Sequence, residues 1–204
     1  MKNIALLVLT AVLLSNCKSN NEKTISNTDD LITKVDPFIG TGGHGHTFPG
    51  ATVPFGMIQV SPDNGISDWD WCSGYHYSDS IVAGFSHLHL SGTGIGDLAD
   101  ILFMPTNKKL DLTTKTTSRD QLPYKSGYSH KNETSKPGYY QVFLKDPKIN
   151  VELTASQRTA FHKYTFAEKD PQSVIIDLGF AINWDKATKT GITIEDENTI
   201  SGFR

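Results

Sequence analysis

The sequence has few cysteines, no excess of positive charge and no apolar run of membrane-spanning length. Its two cysteines among 204 residues allow at most one disulfide. The formal net charge of −3 provides no basic face, which argues against nucleic acid as a partner. The apolar stretch Ile4–Leu14 is interrupted by Thr10 and is too short to cross a bilayer.

Helical periodicity is also missing beyond a turn or two. Seventeen glycines and nine prolines favour many turns, and therefore an all-β fold. Short apolar or alternating runs predict the strands. These runs are Met57–Val60, Ile81–Leu90, Ile101–Met104, Tyr139–Leu144, Ile149–Thr154, Thr159–Phe166, Val174–Leu178, Ile192–Ile194 and Thr199–Ser201. We expect an antiparallel β-sandwich.

The segment from Tyr139 to Phe166 has the clearest strand pattern. Alternate positions are apolar in two consecutive runs: Tyr140, Val142 and Leu144, then Val151 and Leu153. Turn-forming residues separate the runs. This pattern predicts an antiparallel meander with one face buried.

The first 17 residues have the features of a bacterial lipoprotein signal peptide. Leu14-Ser15-Asn16-Cys17 follows the apolar stretch and resembles a lipobox, in which the cysteine is acylated. We predict a signal peptide over 1–17, a flexible tether over 18–34 and a folded domain over 35–204. The expected location is the periplasm, the outer membrane or the cell surface, with the lipid anchor at Cys17 as the membrane contact. An ordinary secretory signal with an incidental cysteine is the alternative.

A glycine-rich segment extends from Gly40 to Gly50 and contains five glycines in eleven residues. Glycine allows tight turns and close approach of the backbone to a ligand. The segment lacks the Gly-Lys-Ser/Thr of a phosphate-binding loop. His44, His46 and Phe48 lie within it, and they favour a binding site over a plain surface loop.

A second cluster holds four aromatic rings and a histidine within nine residues, at Trp69, Trp71, Tyr75, His76 and Tyr77. Aromatic faces stack on the apolar faces of sugars, while polar neighbours such as Asp70 bind hydroxyl groups. The rings are interleaved with polar residues, so the segment does not read as one apolar face and the rings are not all expected to point into a core. We therefore expect some of them to face a pocket.

His87-Leu88-His89 is a second His-x-His pair beside His44 and His46. On a strand, the two histidines of such a pair share one face, as metal ligands would. A zinc site needs three or four convergent ligands, and the pairs alone are weak evidence. We favour histidines that bond backbone and water beside a pocket, and predict no metal ligand in this chain. A metal-binding β protein remains an alternative.

In order, these blocks resemble the N-terminal portion of glycoside hydrolase family 92. The resemblance is carried by Val35–Ala51, Val53–Met57, Trp69–Tyr75, Gly84–Gly94 and Asp100–Leu102, and a weaker likeness continues to Arg204. It implies an exo-acting, inverting α-mannosidase that needs calcium, as in Bacteroidetes that degrade N-glycans and yeast mannan. The implied architecture is an N-terminal β-sandwich joined to a larger (α/α)6 barrel, with the active site between them.

In that family the catalytic acid and base, and most calcium contacts, come from the barrel. Nothing in this sequence resembles the barrel, so the resemblance implies a fragment that is truncated at its C-terminal end, has no catalytic residue and is inactive alone. The expected ligands are α-mannoside glycans, the expected partner is the missing helical domain, and Ca²⁺ is expected to bind mainly to that domain. A non-catalytic carbohydrate-binding surface lipoprotein is the alternative.

The resemblance assigns substrate contacts residue by residue. Trp69 matches a family tryptophan that packs against the sugar next to the scissile bond. Four other predicted substrate-binding residues fall in blocks that line the cleft in relatives: Asp70, His44, His46 and Phe48. His87 and His89 are also predicted to bind substrate, and the alternative for this pair is that it only braces the site.

Overall fold

The computed structural model describes residues 31–65, 67–96, 99–113, 116, 118–167, 169–182 and 186–204. The predicted signal peptide, the lipidation site Cys17 and most of the predicted tether lie outside the described residues. Residues 32–204 belong to one compact unit. Among the described residues, we find no helix with the length and apolar character that a membrane crossing requires.

The described residues form thirteen strands. Their bounds are β1 Ala51–Thr52, β2 Gln59–Asp63, β3 Ile81–Val82, β4 Gly84–Ser86, β5 Leu102–Thr106, β6 Ser126–Gly127, β7 Glu133–Lys136, β8 Tyr139–Leu144, β9 Ile149–Ala155, β10 Ala160–Thr165, β11 Ser173–Asp177, β12 Gly191–Ile194 and β13 Ile200–Phe203. Short 3-10 turns occupy Trp69–Trp71, Arg119–Gln121 and His130–Asn132.

Two larger sheets make up the fold. One has five strands in the order β1-β2-β4-β5-β11, and the other has four in the order β10-β9-β8-β7. Strand pairs β12-β13 and β3-β6 form two further small sheets. Neighbouring strands are antiparallel. The prediction of an all-β antiparallel sandwich is confirmed.

The register of β8 and β9 explains how the core is built. Tyr140 lies opposite Leu153, and Val142 lies opposite Val151, so the apolar positions of both strands share one face. These side chains are buried in the same core as Val60, Phe85, Leu102 and Met104 of the other sheet. Burial of each such aliphatic or aromatic side chain contributes about 1.5–3 kcal/mol. The predicted meander with one buried face is therefore confirmed.

Two strand predictions differ from the structure. The run Ile81–Leu90 divides into β3 and β4, and β4 ends at Ser86, before the histidine pair. Strand β7 was not predicted because its sequence, Glu-Thr-Ser-Lys, is polar. It forms because β8 supplies its hydrogen-bonding partners and because Glu133 has bonding partners inside the core.

The carboxylate of Glu133 is the buried polar centre of the four-stranded sheet. Its Oε1 accepts a hydrogen bond from the Tyr140 hydroxyl at 2.6 Å, and its Oε2 accepts one from Tyr75 at 3.1 Å. The same Oε2 lies 2.6 Å from His130 Nδ1. A buried carboxylate is tolerated only when its oxygens are hydrogen-bonded in this way. Glu133 thus fixes β7 against the core.

A pair of histidines links the two larger sheets. His87, which follows β4, and His162 of β10 have their Nε2 atoms 3.1 Å apart. His87 Nδ1 lies 2.7 Å from the carbonyl of Ile101, so this nitrogen carries the proton. His87 Nε2 is then the acceptor, and His162 Nε2–H donates to it. The Tyr164 hydroxyl, 2.8 Å from His162 Nδ1, donates to that nitrogen. With both rings neutral, as their burial favours, every ring nitrogen of the pair has a hydrogen-bonding partner.

Protonation of this pair is unfavourable in the folded protein. Burial lowers the pKa of His87, and burial together with the neighbouring His87 lowers the pKa of His162 to about 3. The ordinary value in the unfolded chain is about 6.5. The unfolded state therefore binds more protons as the pH falls below 6.5, and folding stability contributed by the pair is lost progressively between about pH 6.5 and pH 3.

We predict that His162→Gln reduces the pH dependence of folding stability. Glutamine keeps hydrogen-bonding groups at this position but does not titrate. The free energy of unfolding, measured by urea denaturation at several pH values, should fall less steeply below pH 6.5 in the variant than in the original chain. Equal slopes for the two proteins would contradict the assignment. A His130→Gln variant, which alters a different part-buried histidine, is the control.

Candidate functional site

The structure brings together four of the predicted site residues: His44, His46, Trp69 and Asp70. We call this group the His-Asp-Trp cluster. Asp70 Oδ1 lies 2.7 Å from His44 Nδ1 and 3.0 Å from His46 Nε2. One carboxylate oxygen therefore joins both histidines of the glycine-rich segment to the aromatic segment.

The shared oxygen also determines the electrostatics of the cluster. The hydrogen bond and the negative charge of Asp70 raise the pKa of His44. Hydrogen bonds from His44 and then His46 lower the pKa of Asp70. Asp70 is thus held ionised at neutral pH, where it accepts hydrogen bonds and donates none.

The 3-10 turn Trp69–Trp71 places Asp70 and the Trp69 ring. The side chain of Asp68 caps this turn by accepting from the backbone N–H of Asp70 at 3.0 Å. The indole Nε1–H of Trp69 donates to the carbonyl of Gly94 at 2.7 Å. The turn is therefore held at its start and through its ring.

Glycine packing closes the loop that carries the two histidines. The N–H of Thr47 donates to the carbonyl of Gly40 at 3.3 Å, and Gly45 lies against the same residue. A Cβ atom added to Gly45 would be 2.0 Å from the Gly40 oxygen. Adjacent His46 has a φ of +53°, a left-handed conformation that is uncommon for residues other than glycine. Its carbonyl accepts from the N–H of Gly92 at 2.6 Å, which helps to hold this conformation.

One side of the cluster is open to solvent. The side chain of His44 is 77% exposed and Trp69 is 56% exposed, whereas His46 is only 6% exposed. The Trp69 ring lies 4.4 Å from the ring of His46 and 5.6 Å from that of His44. An apolar ring surface and the polar edges of the cluster are thus presented side by side, as in ligand sites that combine the two.

The remaining predicted site residues make different contacts. His87 belongs to the inter-sheet pair described above. Buried His89 places Nδ1 2.8 Å from the carbonyl of Gln59 and Nε2 3.1 Å from Asp63 Oδ1. Phe48 packs on the His89 ring, with ring centres 5.2 Å apart. The two histidines of this pair therefore have separate partners and do not converge as metal ligands.

Ser86, His89 and Asp63 do not form a nucleophilic triad. Such a triad needs the serine and the carboxylate on opposite nitrogens of the imidazole. Here Ser86 Oγ lies 3.2 Å from His89 Nε2, the nitrogen that also faces Asp63. All three residues are buried. The geometry is that of a structural polar group within the core.

The other aromatic residues of the second cluster have mixed roles. Tyr75 is buried and bonds Glu133, as described above. Trp71 stacks on His76 with ring centres 4.3 Å apart, and its Nε1–H donates to Asp79 at 2.7 Å. Tyr77 is part-exposed and lines an open groove together with Asp36, Phe38, Ile39, Thr41 and Gly42. The prediction that only some of the rings point inward is confirmed.

Calcium does not fit the donor set of the cluster. Calcium takes six to eight oxygen ligands. Among the described residues, the group with convergent metal-ligand atoms is His44, His46 and Asp70, which offers two nitrogens and one oxygen. We therefore assign no calcium contact to it.

Comparison with known proteins shows the family of the chain. It belongs to glycosyl hydrolase family 92, because the model of the family's N-terminal domain matches residues 34–204. The family resemblance predicted from the sequence is confirmed.

Three relatives show the extent of the match. A family 92 α-mannosidase of Bacteroides thetaiotaomicron, solved in complex with mannoimidazole, is 38% identical, with a TM-score of 0.78 over 84% of this chain and 22% of its own. A family 92 inverting mannosidase of Bacteroides thetaiotaomicron VPI-5482 is 27% identical, with a TM-score of 0.65 over 84% and 22%. An uncharacterized secreted glycosidase of Arthroderma benhamiae is 28% identical over 158 residues, 73% of this chain and 20% of its own. This chain therefore spans about a fifth of the length of these relatives.

We predict that alanine at Gly45 disrupts the cluster, whereas alanine at Gly42 does not. The Gly45 substitution places a methyl group against the Gly40 carbonyl and should lower the free energy of unfolding by roughly 3 kcal/mol or more. At Gly42, the nearest atom to an added Cβ is Tyr77 Cβ at an ordinary 3.7 Å, so the expected change is within about 0.5 kcal/mol. Thermal and urea denaturation measure both. Equal stability of the two variants would contradict the loop geometry.

Proposed function

We propose that this chain is the N-terminal domain of a secreted α-mannosidase that hydrolyses terminal α-mannosides of N-glycans or mannan with inversion. Its part is to form one wall of the sugar site with the His-Asp-Trp cluster. The catalytic acid and base would come from a helical domain beyond these 204 residues. Family membership supports the reaction class, and the exposed Trp69 ring beside hydrogen-bonding groups is the observation that supports a sugar-contacting wall.

The chemistry of Asp70 argues for binding rather than proton donation. An inverting glycosidase needs one carboxylic acid with a raised pKa to protonate the leaving oxygen and a second carboxylate to activate water. Asp70 has a lowered pKa and accepts from two histidines, so it is unsuited to act as the acid. It is suited to orient the histidines, and the exposed edge of His44 can bond sugar hydroxyl groups.

Phe48, His87 and His89 have a different place in the proposal. They lie in family blocks, but their described contacts are with the core and the opposite sheet. We propose that they support the wall from behind, whereas Trp69, Asp70, His44 and His46 contact the sugar. Calcium, if the whole enzyme needs it, would be bound mainly by the helical domain, since the cluster offers an unsuitable donor set.

We predict that Trp69→Ala weakens catalysis in a chimera. In this chimera, residues 34–204 of the present chain replace the matching portion of the 38% identical Bacteroides thetaiotaomicron enzyme. Removing the indole should lower kcat/KM for an α-mannobioside by about tenfold or more, because each 1.36 kcal/mol of lost transition-state contact is tenfold. Phe161→Ala, which removes another exposed aromatic ring, is the control and should leave kcat/KM unchanged.

The isolated chain supplies the contrasting measurement. It should not hydrolyse α-mannosides, and calorimetry with mannobiose should show weak binding or none. Hydrolysis at an ordinary enzymatic rate would overturn the proposal. Tight mannobiose binding without hydrolysis, together with an inactive chimera, would favour the non-catalytic carbohydrate-binding lipoprotein.

The proposed location is the periplasm, the outer membrane or the cell surface, with Cys17 acylated. The secreted fungal relative and the lipobox-like segment support export.

We predict that Cys17→Ser moves the protein, expressed in a Gram-negative bacterium, from the membrane fraction to the soluble fraction. It should also abolish incorporation of labelled palmitate. Cys72→Ser, which changes a buried thiol, should do neither. Membrane association of the Cys17→Ser variant would contradict the anchor.

A further inference from the structure

The His-Asp-Trp cluster has the donor set of a transition-metal site. Ring nitrogens of His44 and His46 and a carboxylate oxygen of Asp70 all lie within 4.8 Å of one another. Two imidazole nitrogens and one carboxylate suit zinc and neighbouring divalent transition ions, whereas calcium and magnesium prefer oxygen. The sequence alone favoured simple hydrogen bonding for these histidines, because it could not show that Asp70 joins them.

The separations between donor atoms are close to what a zinc-sized ion requires. Metal–ligand bonds of about 2.0–2.1 Å in tetrahedral geometry place neighbouring donors about 3.3 Å apart. The two nitrogen–oxygen separations here are 2.7 Å and 3.0 Å. An ion that replaces the two hydrogen bonds needs each nitrogen–oxygen pair to open by only a few tenths of an ångström, and the two ring nitrogens lie within 4.8 Å of each other.

Two of the three ligands are held in place before any ion binds. His46 is buried, has a left-handed backbone and is tied through its carbonyl to Gly92. Asp70 lies in the capped 3-10 turn. Non-glycine residues in sparsely populated backbone regions persist only where the surroundings enforce them, and they cluster at binding and catalytic sites. The strain at His46 is therefore consistent with a site built for a ligand.

The third ligand leaves the site accessible. His44 is largely exposed, so an ion can enter from solvent and complete its coordination there. Three protein ligands with one open position is the arrangement of accessible zinc sites, in which water or a ligand oxygen occupies the remaining position. Asp70 supplies one negative charge, and Asp68 adds another beside it, since its side chain accepts from the backbone N–H of Asp70 at 3.0 Å. The local charge attracts a cation.

We propose that His44, His46 and Asp70 form a binding site for one divalent transition-metal ion of the zinc class, with an open coordination position beside Trp69. The inference does not depend on the proposed sugar function, because metal binding can be measured without any sugar. It adds to that function a cation at the proposed wall of the site.

The test is titration of the purified, tag-free, metal-depleted chain with Zn²⁺ by calorimetry and with Co²⁺ by visible absorption. We expect one ion per chain, and a Co²⁺ spectrum with d–d bands and no thiolate charge-transfer band, which excludes the cysteines as ligands. His46→Ala and Asp70→Asn should each weaken Zn²⁺ binding by at least tenfold, as should the exposed substitution His44→Ala. A large excess of Ca²⁺ should not displace the bound ion.

His130→Gln is the matched control, because it also removes a histidine–carboxylate contact, the 2.6 Å pair with Glu133, but leaves the cluster intact. It should bind Zn²⁺ with the same affinity as the original chain.

Circular dichroism identifies any variant that fails to fold. If His46→Ala does not fold, His44→Ala still tests the site, because His44 lies at its exposed edge. Three results would each overturn the proposal. They are no stoichiometric Zn²⁺ binding by the original chain, unchanged Zn²⁺ affinity in folded His44→Ala and Asp70→Asn, and displacement of the bound ion by Ca²⁺.

Discussion

The shared oxygen of Asp70 is the contact on which the organisation of the candidate site depends. It joins a loop that glycine packing makes tight to a turn that carries the exposed indole of Trp69. Neither segment alone would orient His44 and His46, because each histidine needs an acceptor from 24 or more residues away. The carboxylate is stable there because two ring nitrogens satisfy the same oxygen. Sugar contact and cation binding, the two proposals made for this site, both depend on that arrangement.

The frame behind the site is held by polar groups placed inside an apolar core. Glu133 bonds two tyrosines and a histidine from separate segments, and the His87–His162 pair joins the two larger sheets. Such groups add directional constraints that apolar packing lacks, since an unsatisfied partner in the core is costly. They hold the sandwich in a defined relative arrangement, so that loops at one edge present side chains reproducibly.

The strand pattern of the second sheet could be predicted because its chemistry is local. Tyr140, Val142 and Leu144 alternate in the sequence, and burial of one sheet face requires that alternation. Strand β7 could not be predicted, because its polar residues form a strand only when β8 supplies the partner backbone and the core supplies partners for Glu133.

The contacts of the histidines could not be predicted for the same reason. The His-x-His spacing is the same at 44–46 and at 87–89 and does not by itself distinguish the two pairs, yet only the first pair converges on one acceptor. The second pair divides between Asp63 and His162, which lie far away in the sequence. The cluster's composition was therefore largely predictable from the motifs, whereas its connections were not.

The close packing of Gly45 on Gly40 has a consequence for how this loop can diversify. Within the loop, an added side chain meets backbone at residue 45, whereas residue 42 has ordinary space and residue 43 has no atom within 4 Å of an added Cβ. The glycines of one short segment are thus unequal: Gly45 determines the loop's shape, Gly43 has a φ of +55° that favours glycine, and residue 42 is the position at which a new side chain can reach solvent beside His44. A library that varies residue 42 and keeps Gly43 and Gly45 constant would therefore change the rim of the site and preserve its base.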